Sequence, residues 1–251
     1  AAIRPFLVTE DEAANAPEGF IVKDIRGPVK GLKYRIVVDP EDCYGCGICA
    51  NTCPAPKKAL VMQPAETELP KQNLWDYAKS LPARDNPLGK KNLRSAMFEP
   101  TYFEFSGACA GCGETPYINM VTRLFGDRMM ISNATGCSSI YGASAPSMPY
   151  TKNRKGQGPA WANSLFEDNA EYGLGMHLGE AKLRSRLTEK LEALLPAAEG
   201  DVKTAMEEWL AKKDLGEGTR DRADKLDAAL TAAVSAHPEY KDLLDRKDHF
   251  V

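Results

Sequence analysis

Long apolar runs are absent from this chain: no window of its 251 residues approaches the roughly 20 apolar residues that a membrane-spanning helix requires. No charged and then apolar leader opens the sequence as given, so no membrane partner is expected and the cytoplasm is the default location. An excess of charge of one sign is missing too. The formal net charge is −3, from 32 basic and 35 acidic residues, which argues against a nucleic-acid partner. Cysteine is missing altogether from residues 1–42. What remains, 43% hydrophobic and 27% charged, fits an ordinary globular protein of one or two domains.

The cysteines that do occur carry the most information. Cys43, Cys46, Cys49 and Cys53, followed by Pro54, read C-x2-C-x2-C-x3-C-P, the spacing of a 4Fe-4S cluster loop. Three thiolates spaced three residues apart on a tight loop reach three irons of one cubane, while Gly45 and Gly47 let the backbone bend close. In two-cluster ferredoxins the fourth cysteine of such a run ligates the other cluster, so Cys53 points to a second cubane. Each cubane is then short of thiolates, and the 251 residues are expected to be a piece of a longer polypeptide. Structural zinc is the competing reading, but four cysteines within eleven residues with proline after the last suit a cubane better. An odd total of seven, in C-x2-C patterns, reads as metal ligands in a reducing compartment and not as disulfides.

Around this loop the pattern is that of short strands between Phe20 and Val38, with Gly27, Pro28 and Gly31 at turns and Tyr34 to Val38 entering the cluster loop. Asp39-Pro40 breaks the strand, and Ala59 to Met62 resumes an extended apolar segment. Residues 63–100 are rich in proline and charge, with a short helix around Leu74 to Leu81, and read as a connector laid over a larger surface. A new unit begins near Tyr102. It holds a helix from Pro116 to Phe125, a buried strand from Arg128 to Asn133 and a turn at Gly136-Cys137-Ser138-Ser139, the order of an α/β domain with ligands at strand ends. Beyond Gly179 three helical segments follow. They carry Leu183, Leu187, Leu191 and Leu194, then Val202, Ala205, Met206 and Trp209, then Leu226, Leu230, Ala233 and Val234 as packing stripes without chemistry.

Cys109 and Cys112 form a second C-x2-C pair, and Cys137, 25 residues on, could add a third thiolate. By spacing alone this set is a relay cluster, a three-cysteine zinc site completed by a histidine, or three unrelated buried thiols. The cluster motif upstream favours the relay cluster.

Five segments, Ala1 to Pro5, Cys43 to Pro54, Gly107 to Tyr117, Asn133 to Gly142 and Gly158 to Gly173, closely resemble pyruvate:ferredoxin (flavodoxin) oxidoreductase. The resemblance implies an α/β fold class with a small α+β ferredoxin-like module, and a thiamine-diphosphate-binding α/β domain with a helical C-terminal segment. In these terms residues 1–62 are part of a two-cluster ferredoxin-like domain, 63–100 a connector, and 101–251 part of the thiamine-diphosphate domain with its proximal cluster. It further implies that Cys43, Cys46 and Cys49 hold one cubane, that Cys53 completes the other ferredoxin-type cubane, and that Cys109, Cys112 and Cys137 hold the proximal one, three clusters in the full enzyme. Glu114 matches a position that contacts thiamine diphosphate, and Cys137 lies against the same cofactor. Glu114 is thus expected to bind cofactor and not to be catalytic.

The implied reaction is oxidative decarboxylation of pyruvate with coenzyme A to acetyl-CoA and carbon dioxide, with electrons leaving to ferredoxin or flavodoxin. A homodimer and the remaining segments of the enzyme are the implied partners. A Gly-Asp-Gly motif for magnesium (Mg2+) and the diphosphate is expected outside the chain, because Gly126-Asp127-Arg128 has arginine where the tight turn needs glycine. The chain stops about where the strand before that motif would begin. Another 2-oxoacid as substrate is the near alternative, and a polyferredoxin electron carrier the remote one.

Overall fold

A computed structural model of the protein describes residues 2–25, 29–90, 92–144 and 148–251. Gly27 and Pro28, expected at a turn, lie outside the described residues, as does Ala1. The chain divides into two compact units, Ala1–Trp161 and Ala162–Val251, so segments 1–62, 63–100 and 101–161 all fall within the first.

The first unit starts with β1 (Ile3–Val8), which runs antiparallel to a later strand with Ile3 opposite Val38 and Val8 opposite Lys33. Thr9 ends β1 and caps α1 (Glu10–Ala14): its hydroxyl accepts from the Glu12 N–H at 3.3 Å, and the Glu12 carboxylate accepts from the Thr9 N–H at 2.9 Å. The short β2 (Lys23–Asp24) and the longer β3 (Lys33–Val38) complete a three-stranded sheet in the order β1-β3-β2. The expected strand at Tyr34 to Val38 is β3. After it come α2 (Ile48–Asn51), α3 (Ala65–Glu68), α4 (Gln72–Ser80) and α5 (Leu93–Ala96).

Two expectations change here. Ala59 to Met62 joins no strand, and Val61 and Met62 are exposed. The segment 63–100 is no surface connector, because α4 buries Leu74, Trp75 and Ala78 against Val8, Phe20 and Val37 of the sheet layer. Its prolines and charges lie mostly on the outer side and conceal from a sequence reading that one helical face is apolar.

Farther along, α6 (Thr115–Phe125) takes Pro116 in its first turn, as expected. It ends at Gly126, where a Cβ would stand 2.3 Å from the Thr122 carbonyl oxygen and 2.7 Å from the Tyr102 ring, so glycine is required by close approach. Gly126-Asp127-Arg128 is thus a helix terminus, with Arg128 ion-paired to Asp127. β4 (Met130–Ala134) opens a two-stranded sheet, its partner beginning at Ala160, whose N–H donates to the Met129 carbonyl at 2.9 Å. The strand expected to be buried is half-buried, with Met130 exposed, since a two-stranded sheet covers neither face. The Gly136 to Ser139 turn proves to be a short helix, α7 (Cys137–Ser139), continued by a π-helical turn over Ile140–Ser144. The fold is mixed helix and strand with small sheets.

Charged groups hold the first unit together at depth. Arg4, 6% exposed, pairs with Glu104 at 2.6 Å, and its guanidinium lies 5.1 Å from the Trp75 ring and 5.0 Å from the Phe105 ring. Arg123, 3% exposed, donates to the carbonyls of Met97 and Glu99, to Thr101 and to Asn119, all within 2.9 Å. Burial and then the nearby Arg4 charge lower Arg123 to about 10, against the pull of Glu104 and Glu99.

β5 (Ala160–Ser164) spans the division, and α8 (Asn169–Leu194) begins the second unit's helices. α8 starts some ten residues before the expected point near Gly179, running through Gly173 and Gly175 despite their low helix propensity. Leu187 and Leu191 of α8 pack with Val202, Ala205, Met206 and Trp209 of α9 (Gly200–Lys212) and with Ala223, Leu226 and Leu230 of α10 (Thr219–Ala233). α11 (Lys241–Leu244) adds Leu243. The expected packing stripes therefore supply the core, with Leu194, Ala233 and Val234 half-buried against it and Leu183 outside the cluster. The last residues, Lys247–Phe250, form a 3-10 turn and no strand. Phe250 is buried against Trp209, whose Nε1–H donates to the Phe250 carbonyl at 2.8 Å.

Arg4→Ala should cost about 3 kcal/mol of stability, because it strands the Glu104 carboxylate and uncovers the Trp75 and Phe105 rings. A urea titration with an unchanged m-value but a lower midpoint is the expected outcome, and Arg4→Lys should recover only part of the loss, lacking the flat cation. Trp209→Ala should cost about 3–5 kcal/mol by leaving a cavity and an unpaired Phe250 carbonyl. A thermal melt within a degree of wild type would count against that packing role.

Candidate functional site: two cysteine loops and a carboxylate

β3 delivers the chain to the first cysteine loop through Asp39, 2% exposed, whose N–H donates to the Ala2 carbonyl at 2.7 Å and whose carboxylate accepts from the Asp42 N–H at 3.4 Å. Burial, followed by the neighbouring Asp42, pushes the Asp39 carboxyl above the usual range, although backbone bonding opposes this. Beyond it the loop turns outward. Cys43 and Cys46 are exposed, Cys49 and Cys53 half-buried. Gly45 and Gly47 take φ of 67° and 73°, the left-handed conformation that side chains disfavour, which is why the spacing between these cysteines tolerates glycine so well. Gly47 leads into α2, and the Thr52 hydroxyl closes that turn by donating to the Ile48 carbonyl at 2.7 Å.

The Cys53 sulfur sits in a backbone cradle. The Ala59 N–H donates to it at 3.3 Å. Backbone N–H groups, Ala55 first and then Ala59 and Leu60, together with the Lys58 ammonium, hold its thiol below the usual range despite some desolvation. Donors aimed at sulfur stabilise negative charge there, as a cluster thiolate needs.

The second loop begins at Phe105, which has a positive φ of 47°, costly for a residue with a bulky side chain. Cys109 is exposed and Cys112 half-buried; the Cys112 N–H donates to the Cys109 carbonyl at 3.0 Å, and Gly111 between them has φ 75°. Glu114 follows at the N-terminus of α6, exposed, where the partial positive charge of the unpaired N–H groups favours a carboxylate. Cys137, exposed, opens α7, and the Ser139 hydroxyl locks that turn by donating to the Gly136 carbonyl and accepting from the Gly136 N–H. The alternative of three buried thiols at Cys109, Cys112 and Cys137 does not hold, since two are exposed and one half-buried.

Tyr141 and Tyr150 join this site, and sequence reasoning missed both. Burial, then the Glu114 carboxylate and Cys112, drive Tyr141 far above the usual phenol range; burial and Glu114 also raise Tyr150. Among the described residues the buried Tyr141 hydroxyl meets no partner in good hydrogen-bond geometry, and the Glu114 carboxylate stands near enough to raise it. The available signal was position: Tyr141 follows Cys137 by one helical turn.

Among the described residues no group of three or more His, Cys, Asp or Glu side chains stands close enough to hold a metal ion. Glu114 and Cys112 are brought together about Tyr141; the thiols of Cys43, Cys46 and Cys49 are carried on one loop without converging. The donor set itself suits iron-sulfur chemistry, with accessible soft thiolates on loops bent by left-handed glycines. Were a cluster bound there, gathering those thiols about it would be coupled to its binding. Gly126-Asp127-Arg128, as a helix terminus, does not suit a magnesium-diphosphate site. No described helix is long and apolar enough to cross a membrane.

In metal-free protein, Cys53 should alkylate with an inflection below the ordinary thiol value of about 8.5, since its thiolate persists until the pH falls through the lowered value. Ala59→Pro, which deletes one donor, should move the inflection up. Mass-spectrometric alkylation against pH checks both, and an inflection at or above the ordinary value would show that the backbone donors do not stabilise the thiolate.

Comparison with known proteins agrees with the chemistry of the loop. The family model of a 4Fe-4S binding domain matches residues 36–55. The pyruvate-flavodoxin oxidoreductase of Enterobacter agglomerans is 55% identical over 231 residues, covering 90% of this chain and 20% of that protein. Its counterpart in Klebsiella pneumoniae is 50% identical over 252 residues (100% and 21%), and the pyruvate:ferredoxin oxidoreductase of Moorella thermoacetica is 51% identical over 252 (97% and 21%). The chain thus spans about one fifth of the length of these relatives. With its own 4Fe-4S binding domain, the chain is a homologue of one segment of the pyruvate-flavodoxin and pyruvate:ferredoxin oxidoreductases.

Proposed function

We propose that this chain is the part of a 2-oxoacid oxidoreductase that carries electrons away from a thiamine-dependent decarboxylation. The substrates are pyruvate and coenzyme A, the products acetyl-CoA and carbon dioxide, and the acceptor ferredoxin or flavodoxin. The observation that carries the reading is the cysteine loop at Cys43 to Cys53, matched as a 4Fe-4S binding domain within a chain half identical to oxidoreductases named for pyruvate. When bound, thiamine diphosphate supplies an electron sink for 2-oxoacid decarboxylation, and 4Fe-4S clusters take up electrons singly.

The residues divide the work. Residues 1–62 serve as part of a two-cluster ferredoxin-like domain, in which Cys43, Cys46 and Cys49 would hold one cubane and Cys53 would complete the other. Residues 101–251 serve as part of the thiamine-diphosphate α/β domain. Cys109, Cys112 and Cys137 would hold the proximal cluster, and Glu114 would meet the cofactor, with Cys137 beside it. Glu114 is suited to that contact as an exposed carboxylate at a helix N-terminus, with the buried Tyr141 hydroxyl close by. The magnesium ligands, the second protomer of a homodimer and a cytoplasmic location belong to the same reading.

Cys46→Ser in the full-length protein tests it. One ferredoxin-type cluster should bleach, and reduction of external ferredoxin should slow while release of carbon dioxide from pyruvate persists. Equal loss of both half-reactions in a folded variant, or no pyruvate-dependent carbon dioxide release by the wild type, would refute the division of labour.

A further inference from the structure

The two cysteine loops, more than 50 residues apart in sequence, touch at two points, and on the first loop each contact is made by the immediate chain neighbour of a cysteine. The Tyr44 hydroxyl, next to Cys43, donates to the Ser106 carbonyl at 3.1 Å. On the far side of the same loop, Ile48, next to Cys49, lies against Gly111, next to Cys112: a Cβ on Gly111 would stand 3.2 Å from the Ile48 Cδ1. Both side chains are otherwise surface groups, Tyr44 63% and Ile48 46% exposed, so the core does not dictate their presence.

The two ends of this junction are anchored independently of it. Ser106 follows Phe105, whose ring is fixed by the Arg4 guanidinium at 5.0 Å and by Trp75 at 6.2 Å. The first loop leaves β3, which pairs with β1 and so with Arg4 itself, opposite Val37. Both loops therefore spring from one clamp, and what remains to be set is the spacing of their tips.

We propose that Tyr44 and Ile48 are positioning residues that latch the Cys43–Cys53 loop onto the Ser106–Cys112 loop, setting the spacing between the iron-sulfur clusters the two loops carry. The cluster assignments rest on the function proposed above; the latch itself rests on the two contacts. Electrons crossing between clusters depend on that spacing, so the latch acts on transfer between them and not on their ligation. Neither side chain donates a ligand. Tyr44 contributes one directional bond, and Ile48 fills the space that the absent Gly111 side chain leaves.

The test uses full-length protein loaded with iron and sulfide, as wild type, Tyr44→Phe, Ile48→Ala and the double variant. Iron and sulfide content and the cluster midpoint potentials should not change, because no ligand is altered. Amide hydrogen exchange at residues 106–112 should quicken about fivefold in Tyr44→Phe, the effect of one ordinary hydrogen bond, and further in the double variant. The magnetic splitting between reduced clusters in electron paramagnetic resonance should narrow in the same order. Unchanged exchange and splitting in a fully loaded double variant would overturn the latch. A wild type with no iron at the Cys109 loop would instead overturn the cluster assignment, while exchange at 106–112 would still report on the contact. Should a variant fail to load, exchange in the metal-free proteins decides: equal rates at 106–112 in wild type and double variant refute the latch.

Discussion

The Arg4 guanidinium is the interaction on which the first unit depends. It lies against the rings of Trp75 and Phe105, which touch each other edge to face, and pairs with Glu104, a residue 100 positions away. One cation thus joins a sheet strand, the α4 helix and the entry to the second cysteine loop. An unpaired charge at 6% exposure would be costly, so the pairing and the two aromatic faces are conditions for its burial as much as sources of stability. Arg123, deeper and bonded to backbone carbonyls of Met97 and Glu99, extends the same device to α6. Small sheets cannot enclose a large apolar core, and buried guanidinium groups link the loops that the sheets leave loose.

Around this frame the chemistry-bearing residues lie outward. Of the seven cysteines none is buried, and the turns that present them use glycine in the left-handed region at Gly45, Gly47 and Gly111. Thiols in such loops need negative charge stabilised at sulfur, and the cradle of backbone N–H groups about Cys53 supplies it without any charged side chain except Lys58. Glu114 uses the same physics, a carboxylate against the positive end of α6. Tyr141 and Tyr150, made less acidic by burial and by Glu114, remain neutral phenols near it.

The second unit rests on different physics. Its core is almost wholly aliphatic and aromatic, assembled from α8, α9, α10 and α11 and closed by Phe250 against Trp209. Arg222 ties the α9–α10 connection by donating to the carbonyls of Glu217 and Lys212, which leaves few polar groups inside. Burial of apolar surface supplies the main favourable term here, in contrast to the ionic clamp of the first unit.

The sequence by itself determined those features that depend on local chemistry: the cysteine loop and its glycines, the β3 strand before it, α6 with Pro116 in its first turn, and the stripes that became the second unit's core. Each is encoded within a few residues by spacing, dihedral preference or helical period. Tertiary structure alone decided that residues 63–100 enter the core through Trp75, that Met130 to Ala134 stays half-exposed, that α8 reaches back to Asn169 through three glycines, and that Tyr141 stands by Glu114. It also decided that Tyr44 meets Ser106. These outcomes turn on partners tens of residues away, and a long-range contact such as Arg4 with Glu104 leaves no periodic trace in either segment, because it takes only one side chain from each.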